Sequence, residues 1–391
     1  MKWRAESFGA LVQVDDPPAL LWVDQDMARE LGIDEQPTWQ SGSDRLSAPT
    51  EVHVMTTERC PAGCPSCYVD STMESREPPT EQWRAILHRL ADAGVFHVAM
   101  GGGEALLRAD LFELAALARE LRMVPNLTTS GIGMTREIAA KCRIFGQVNV
   151  SLDGTGEVYR ASRGYDGADR ALRALGWLAE AGVPCGINLV LHRGTWDSLD
   201  DTIAAAAAAG AHEVEILRFK PAGRAVDTYE TWRLDASQRH QVLPRLMELM
   251  QKWPHLNIKV DCSLVPFLCA AGPDPRLLEM FGVVGCEAGN MLSAIRADLQ
   301  MTSCSFIEER IGDAHVTLDE WQSPEVSRWH EYHHNAPQPC RSCEYRTICK
   351  GGCRAVSRHL TGNYFVPDPE CPRVEAFNAS RNQGETPECS S

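Results

Sequence analysis

The first part of the chain alternates apolar and polar runs in a way that predicts a small separate element. The apolar runs Ala10 to Val14 and Ala19 to Val23 flank an Asp-Asp-Pro-Pro sequence, which is typical of a turn between two strands. The segment Asp24 to Leu31 has a helical pattern, and the polar stretch Gln40 to Ala48 has no periodicity and predicts a linker. Residues 1–48 are therefore predicted to form a hairpin and one helix.

From about residue 50, short apolar runs alternate with amphipathic helical stretches. Helices are predicted over Thr80 to Ala93, with Thr80 as a capping candidate, and over Ala168 to Ala181, which Gly182 closes. Strands separated by helices favour right-handed crossovers and one parallel sheet, and six strands are too few for a closed eight-stranded barrel. The fold class is thus α/β, either a partial barrel or an open doubly wound sheet. The six predicted strands are Glu51 to Thr56, Phe96 to Met100, Val124 to Thr129, Gln147 to Leu152, Cys185 to Leu191 and Glu213 to Phe219.

The periodicity changes after the predicted sheet. Residues 49–225 form the sheet region, and residues 226–285 are a bridging helical segment that contains the helix Ala236 to Lys252. Residues 286–375 are rich in cysteine and weakly periodic, and residues 376–391 are a polar tail. A region with so few apolar runs needs another source of folding energy, which metal ligation can supply.

Composition narrows the class of protein. The 391 residues are 44% hydrophobic and 23% charged, which excludes a disordered or fibrous chain. The net charge of -15 disfavours nucleic acid and anionic membranes as partners. No signal-peptide pattern and no long apolar run occur, so we expect a cytoplasmic protein. Fifteen cysteines in a reducing compartment indicate metal or redox chemistry and not disulfides.

A first group of cysteines directly follows the first strand of the sheet. Cys60, Cys64 and Cys67 form a CxxxCxxC sequence whose Gly and Pro residues favour a turning backbone. Three thiolates can hold one inorganic centre and leave a position open for substrate or cofactor. The alternatives are a zinc site completed by His53 or His97, or buried thiols without metal.

This motif resembles the signature of the radical S-adenosylmethionine (radical SAM) superfamily. The resemblance implies that the three cysteines hold a [4Fe–4S] cluster whose fourth iron binds S-adenosyl-L-methionine. One-electron reduction of that complex would generate a 5′-deoxyadenosyl radical that abstracts a hydrogen atom. The family often has an aromatic residue before the last cysteine; here Ser66 precedes it and Tyr68 follows, as a candidate neighbour of the adenine.

Further positions on successive strands resemble the family's cofactor contacts. Gly102, Gly103 and Glu104 resemble the motif that binds the methionine amino group, although glycines are also common in ordinary turns. Candidate contacts on the later strands are Ser151, Asp153, Asn188 and Arg218. The alternatives are an ordinary strand exit around Asp153 and an ion pair between Arg218 and a neighbouring Glu such as Glu215.

A second group of cysteines lies in the C-terminal region. The spacing is CxxCxxxxxCxxxC with cysteines before and after it, and one alternative is a zinc ribbon formed by the four central residues. The complete pattern resembles the SPASM extension of radical enzymes, which implies two auxiliary [4Fe–4S] clusters. The outer cluster would use Cys340, Cys343, Cys349 and Cys371; the inner one would use Cys286, Cys304 and Cys353.

The sequence does not identify the fourth ligand of the inner cluster. Relatives often have an extra cysteine where Leu292 stands here. The inner cluster therefore either keeps an open iron that could bind a substrate thiol, or is completed by Cys262 or Cys269. Among the remaining cysteines, Cys142 and Cys185 are predicted core residues and Cys389 is predicted to lie in a disordered tail. The pair His333–His334 suggests metal but is interpreted as solvated.

The resemblance implies an enzyme that modifies a ribosomally synthesised precursor peptide, in an oxidative reaction that forms a cross-link or related change. A flavodoxin or ferredoxin-like protein would be the external one-electron reductant. The hairpin and helix would either hold a leader peptide by strand addition or pack against the barrel. Candidate general bases are Asp298, Glu215 and Tyr68. The alternatives are a sulfatase-type formylglycine maturase, a small-molecule radical oxidoreductase, and a non-catalytic iron–sulfur or zinc protein. The peptide itself is expected in a short neighbouring reading frame.

Overall fold

A computed structural model describes residues 1–382, apart from residues 17 and 317. The strands among them are β1 (Lys2–Glu6), β2 (Gly9–Asp15), β3 (Pro18–Asp24), β4 (Glu51–Thr57), β5 (His97–Gly102), β6 (Val124–Thr129), β7 (Val148–Ser151), β8 (Cys185–Leu191), β9 (Glu213–Arg218), β10 (Asn257–Val260), β11 (Leu292–Ile295), β12 (Gln300–Thr302) and β13 (Arg310–Asp313).

The helices follow the alternation that the sequence predicts. They are α1 (Gln25–Glu30), α2 (Thr80–Asp92), α3 (Leu111–Glu120), α4 (Arg136–Lys141), α5 (Gly156–Arg163), α6 (Ala168–Glu180), α7 (Leu199–Ala208), α8 (Ala225–Trp232), α9 (Ala236–Lys252), α10 (Val265–Leu268), α11 (Pro275–Met280), α12 (Pro324–Asn335), α13 (Arg346–Cys349), α14 (Arg354–Thr361) and α15 (Pro372–Asn382).

The centre of the molecule is an open sheet with the order β10-β9-β8-β7-β6-β5-β4-β11-β12-β13. All six predicted strands are present, and they pair in parallel, which confirms the α/β fold and the partial barrel. Two further parallel strands, β10 and β11, extend the sheet on either side, and β12 and β13 add an antiparallel edge. These four strands have three or four residues each, which is too short for a period-2 pattern to be recognised.

Helix α2 shows how the sheet is covered. Its side chains Trp83, Ile86 and Leu90 are buried against strand residues such as Val98. The predicted cap at its start is wrong: the N-cap residue is Pro79 and no side chain caps the helix. Pro79 supplies a fixed backbone angle at this point, and the Thr80 side chain hydrogen-bonds Asp110 instead.

The N-terminal element has three strands and not two. β1 was not predicted, although Lys2–Glu6 alternates charged and apolar side chains as a half-buried strand does. One face of this sheet is covered by Ala28, Ile33 and Trp39, while Leu11 on the other face packs on Leu46 and Phe96 of the central domain. Packing against the barrel, one of the two predicted roles, is therefore confirmed.

Among the described residues, none of the helices combines the length and apolar character that crossing a membrane requires.

Candidate functional site

The first three cysteines lie on a loop that begins where β4 ends. Cys60 donates its backbone N–H to Thr72 O (3.0 Å), and Cys67 donates to Cys64 O (3.2 Å). Arg224, which follows β9, holds this loop from the side: its backbone N–H donates to Cys67 O (2.9 Å), and its Nε donates to Cys64 O (2.9 Å). Two strand ends thus shape the loop, as the position of active sites in parallel sheets requires.

The zinc alternatives do not match this arrangement. His53 hydrogen-bonds Glu51 and Ser305, and His97 starts β5, at the opposite end of the strand from the cysteine loop. Within the described part of the chain, no three cysteine sulfurs lie within 4.8 Å of one another. A zinc ion with Zn–S bonds of about 2.3 Å would hold its sulfurs about 3.8 Å apart. The thiols therefore do not form a preformed zinc site among the described residues.

The turn after β5 is pressed against the start of this loop. A Cβ on Gly102 would lie 2.2 Å from Thr57 O, and one on Gly103 would lie 2.3 Å from Arg59 O, so neither position accepts a larger residue. The Gly103 N–H donates to Thr57 O (2.7 Å) and the Glu104 N–H donates to Arg59 O (2.9 Å). The glycines therefore fix the turn to the cysteine loop.

Glu104 is a buried carboxylate that accepts hydrogen bonds but has no cationic side chain beside it. Its oxygens accept from the Thr129 hydroxyl (2.7 Å), the Ser130 hydroxyl (2.5 Å) and the Ser130 N–H (2.8 Å). Burial raises its pKa, and these hydrogen bonds oppose the shift. Among the described residues no Lys, Arg or His forms an ion pair with it, so an ammonium group from a ligand would suit this position.

Asp153 makes contacts that the sequence did not indicate. One oxygen accepts from the Val190 N–H (2.7 Å) and the other pairs with Arg163 Nε at 2.6 Å. Burial raises the pKa of Cys64, while the guanidinium of Arg163 beside it opposes the shift. Asp153 therefore orients a cation toward the cysteine loop. Its role at a ribose stays a prediction, as do those of Ser151 and Asn188, which lie opposite each other in register on β7 and β8.

Arg218 joins the barrel to the C-terminal region. Its guanidinium donates to Asp368 (2.6 and 3.2 Å), to Glu370 (2.6 Å) and to Ser263 O (3.0 Å). The suggested pairing with Glu215 is wrong, because the partners come from a segment 150 residues later. Both terminal nitrogens are occupied by protein groups, and a contact between Arg218 and a cofactor stays a prediction without support from these bonds.

Four thiols are neighbours beside the barrel and form the inner group: Cys262, Cys286, Cys304 and Cys353. Burial, together with the neighbouring Cys286 and Cys353, raises the pKa of Cys304 to about 12. Burial likewise raises the pKa of Cys262, with added contributions from Asp261, Cys286 and Cys304. Cys262 thus lies with the three residues predicted for the inner cluster, and an open iron has no support from this grouping.

Five thiols line a second small cavity: Cys269, Cys340, Cys343, Cys349 and Cys371. Four of them are the residues predicted for the outer cluster, and Cys269 is an addition. Cys353 does not line this cavity and instead neighbours Lys220 and Cys304, so the zinc ribbon that would have required it with Cys340 is not formed. Of the others, Cys142 and Cys185 are buried in the main core as predicted, and Cys389 lies outside the described residues.

A cavity of about 420 Å³ lies between the first cysteine loop and the segment that contains Cys304. Tyr68 lines it and packs on Phe306, with ring centroids 4.8 Å apart. Of the three candidate bases only Tyr68 lines this cavity. Asp298 pairs with Arg310, and the half-buried Glu215 accepts a hydrogen bond from Asn149. The lining residues are Glu58, Tyr68, Val69, Asp70, Ala222, Gly223, Arg296, Ser305, Phe306 and Glu308.

Comparison with known proteins decides the family. Residues 54–206 match the model of the radical SAM superfamily. The chain is 31% identical over 345 residues to the mycofactocin maturase MftC of Mycolicibacterium smegmatis, covering 85% of each chain. The chain belongs to the radical SAM superfamily. It is also 28% identical to a PqqA peptide cyclase of Rhizobium meliloti, over 84% of this chain and 88% of that one.

Solved radical SAM structures show the same fold over nearly the whole chain. Streptococcus suis SuiB bound to S-adenosylmethionine superposes with a TM-score of 0.74 at 18% identity, covering 95% of this chain and 98% of that one. SuiB bound to the precursor peptide SuiA gives 0.74 at 17% identity, with the same coverage. The Cys-rich C-terminal region is therefore part of a shared fold.

The chain is a radical SAM enzyme, and this fold binds S-adenosylmethionine and a [4Fe–4S] cluster. The residues present fit both groups: three thiols converge on one loop, and Glu104 is a buried carboxylate suited to an ammonium. Burial, with added contributions from Glu104, Cys64 and Cys67, raises the pKa of Cys60 to about 11, so binding to iron is what would make it a thiolate. Sequence analysis missed Arg163, Arg224 and Glu58, and only Glu58 had a signal, as an acid directly after the first strand.

Proposed function

We propose that this enzyme oxidatively modifies a precursor peptide, with the reacting segment in the cavity that Tyr68 and Phe306 line. The observation that carries the proposal is the position of that cavity, between the first cysteine loop and the inner group of thiols. A site for a hydrogen-abstracting radical then lies on one side of the substrate, and a site for an electron acceptor lies on the other. The names of the relatives, peptide cyclase and mycofactocin maturase, support the same substrate class.

We propose three [4Fe–4S] clusters. Cys60, Cys64 and Cys67 hold the one that binds S-adenosylmethionine, and Glu104 receives the amino group of that cofactor. The other two are an inner cluster, held by Cys262, Cys286, Cys304 and Cys353, and an outer cluster, held by Cys340, Cys343, Cys349 and Cys371. When bound, these groups supply a hydrogen-abstracting radical and an acceptor for the second electron.

Glu58 is the best placed group to take the proton that the substrate loses. It lines the cavity, and burial raises its pKa; the charge of Asp298 adds to this shift, while Arg296 opposes it. A raised carboxyl pKa improves proton transfer near neutral pH. Tyr68 is less suited, because burial raises its pKa to about 12 and favours the neutral phenol.

The N-terminal sheet supplies a place for the rest of the peptide. Among the described strands β3 pairs with β2 alone, and it is exposed over most of its length. Phe8 and Trp22 stack beside this edge, with ring centroids 5.2 Å apart, and are 36% and 49% exposed. An extended leader segment can add as a further strand and use this aromatic pair for specificity.

The remaining partner is a one-electron reductant of the flavodoxin or ferredoxin type. A reducing cytoplasm is the compartment that this chemistry favours, since all fourteen cysteines in the described part of the chain are free thiols.

The test is reaction of the anaerobically reconstituted holoenzyme with the peptide encoded by a short neighbouring reading frame. We expect 5′-deoxyadenosine and a peptide that has lost two hydrogen atoms by mass spectrometry. Release of 5′-deoxyadenosine that no such peptide increases would contradict a peptide substrate. Turnover of a sulfatase-derived Ser or Cys peptide would instead favour a formylglycine maturase.

Two variants test the residues. Glu58→Gln should lower peptide turnover by about 100-fold or more while leaving iron content unchanged.

Trp22→Ala should weaken peptide binding about tenfold or more, because a large aromatic contact is removed. Met247→Ala, at an equally exposed position on α9, is the matched control. Equal peptide affinity of the Trp22 and Met247 variants would contradict the role of the sheet edge.

A further inference from the structure

We propose that Asp44, His330 and His334 form a binding site for one zinc-class divalent cation, separate from all the thiol sites. Asp44 lies in the segment that leaves the N-terminal sheet, and the two histidines lie on α12. Positions four residues apart on a helix share one face, so the two imidazoles point to the same place. Among the described residues this is the one group of three such ligands with its donor atoms within 4.8 Å of one another.

The distances fit a single ion. Asp44 Oδ2 lies 2.6 Å from His334 Nε2 and 3.9 Å from His330 Nε2. A tetrahedral zinc ion with bonds of about 2.0–2.2 Å separates its ligand atoms by about 3.4 Å. Both separations are within about 1 Å of that value, and all three donor atoms lie within 4.8 Å of one another.

The donor set selects the kind of cation. Two imidazole nitrogens and one carboxylate oxygen suit zinc and its neighbours in the first transition row. Calcium and magnesium prefer oxygen ligands, of which this group offers a single carboxylate. Because no sulfur takes part, an ion here is spectroscopically distinct from anything that the cysteines bind.

The surroundings leave the site accessible. His330 is buried, whereas the side chains of Asp44 and His334 are 61% and 48% exposed, so a solvent molecule can occupy the fourth position. The neighbouring cation, Arg45, donates a hydrogen bond to Trp321 O (2.7 Å). One negative ligand and a strongly acidic chain, with a net charge of -15, favour cation uptake.

The site would fasten the segment after the N-terminal sheet to the Cys-rich region. Two hydrogen bonds already hold Leu46 there: its N–H donates to Asn290 Oδ1 (3.0 Å), and its carbonyl accepts from Gln322 Nε2 (2.7 Å). A cation at Asp44 adds a cross-link two residues earlier. The inference concerns stability of this junction and does not depend on the proposed function.

The test is zinc binding to the holoenzyme with its iron in place. We expect the holoenzyme to retain one equivalent of Zn²⁺ after desalting and to melt at a higher temperature with it. His334→Ala and Asp44→Asn should each lose that equivalent and the rise in melting temperature, with unchanged iron content. His240→Ala, which changes an exposed histidine on α9, should retain both.

Cobalt provides a second readout. Co²⁺ added to the holoenzyme should give weak visible ligand-field bands without new sulfur-to-metal charge-transfer absorption, and His334→Ala should abolish them. Equal zinc uptake by the holoenzyme, His334→Ala and Asp44→Asn would overturn the proposal, as would charge-transfer bands that show thiolate ligation. Asp44 and His334 would then be an ordinary ion pair.

Discussion

The barrel and the Cys-rich region differ in the kinds of side chain that they bury. In the barrel the buried side chains are mainly apolar, as Trp83, Ile86 and Leu90 on α2 show. In the C-terminal region the buried side chains include Arg354, Asp368 and Glu370, each at most 2% exposed. The same region holds seven thiols, of which one is buried and six are half-buried. Both regions bury apolar side chains, Trp321, Val326 and Trp329 among them in the C-terminal region. We infer that the C-terminal region depends more on ion pairs and on what its thiols bind.

The largest effect is expected at the first cysteine loop. Cys64→Ala removes one of three ligands, so 5′-deoxyadenosine formation should fall to background and about four irons per chain should be lost. The barrel itself should keep its fold, because Cys64 contributes little to the apolar core. Chromatographic assay of 5′-deoxyadenosine and iron analysis check this, with Cys142→Ala as control. Retention of activity above background would contradict the assignment.

Removal of iron should separate the two regions. After chelation, we expect amide protection to fall more over residues 286–375 than over β4–β9, because most of the thiols lie in or beside the former. Hydrogen exchange followed by mass spectrometry measures both regions in one sample. Equal protection in holo and apo protein over residues 286–375 would show that ion pairs alone suffice.

Arg218→Met should weaken the junction between the regions. It leaves Asp368 and Glu370 buried without their main cation, and breaking such a pair lowers the free energy of unfolding by about 3–5 kcal/mol. Arg233→Met is the matched control, since Arg233 also binds Glu370 but is 30% exposed, and its loss should lower the same quantity by about 1 kcal/mol or less. Denaturant titration of the holoenzyme checks both values, and equal losses would refute the difference.

The same junction should depend on pH. Burial acts to raise the pKa of Glu370, but Arg218, Arg233 and Tyr229 outweigh it and hold the pKa below its usual range. Stability from this group is therefore present above the unfolded pKa of about 4.3 and is lost as the pH falls through the lower folded value. The difference in unfolding free energy between the native chain and Arg218→Met should shrink as the pH decreases from 6 to about 3.5. A constant difference would exclude Glu370 as its source.

The smallest effect is expected at Cys269. Although it lines the outer cavity, the four other cysteines there are the ones proposed to hold the outer cluster, so Cys269→Ala should leave about twelve irons per chain. Cys262→Ala, in contrast, should lower iron by about four, because the described residues place no fifth thiol with the inner group. Iron analysis and electron paramagnetic resonance distinguish the two variants. The reverse result would exchange the roles of these two residues.

The sequence predicted the barrel better than the site. Apolar runs such as Cys185 to Leu191 are long enough to mark strands, and cysteine spacing marks ligands locally. Arg163 and Arg224 could not be found in this way, because their partners Asp153 and Cys64 are set by tertiary packing. The partner of Arg218 lies 150 residues along the chain, and no local pattern links the two. Cys262 and Cys269 are seven residues apart, yet the turn after β10 directs them to different groups.

The pairing of β11 with β4 has a consequence for how this enzyme can diversify. Leu292 to Ile295 lie in register with Glu51 to Val54, so the strand that leads into the radical site shares backbone hydrogen bonds with the strand that leads into the inner thiols. An exchange of the Cys-rich region must therefore supply β4 with a new strand that hydrogen-bonds to it. A foreign domain without a strand equivalent to β11 would leave the edge of β4 unpaired, and an unpaired strand edge favours aggregation. Chimeric enzymes should therefore be joined in the N-terminal linker and not between the barrel and the Cys-rich region.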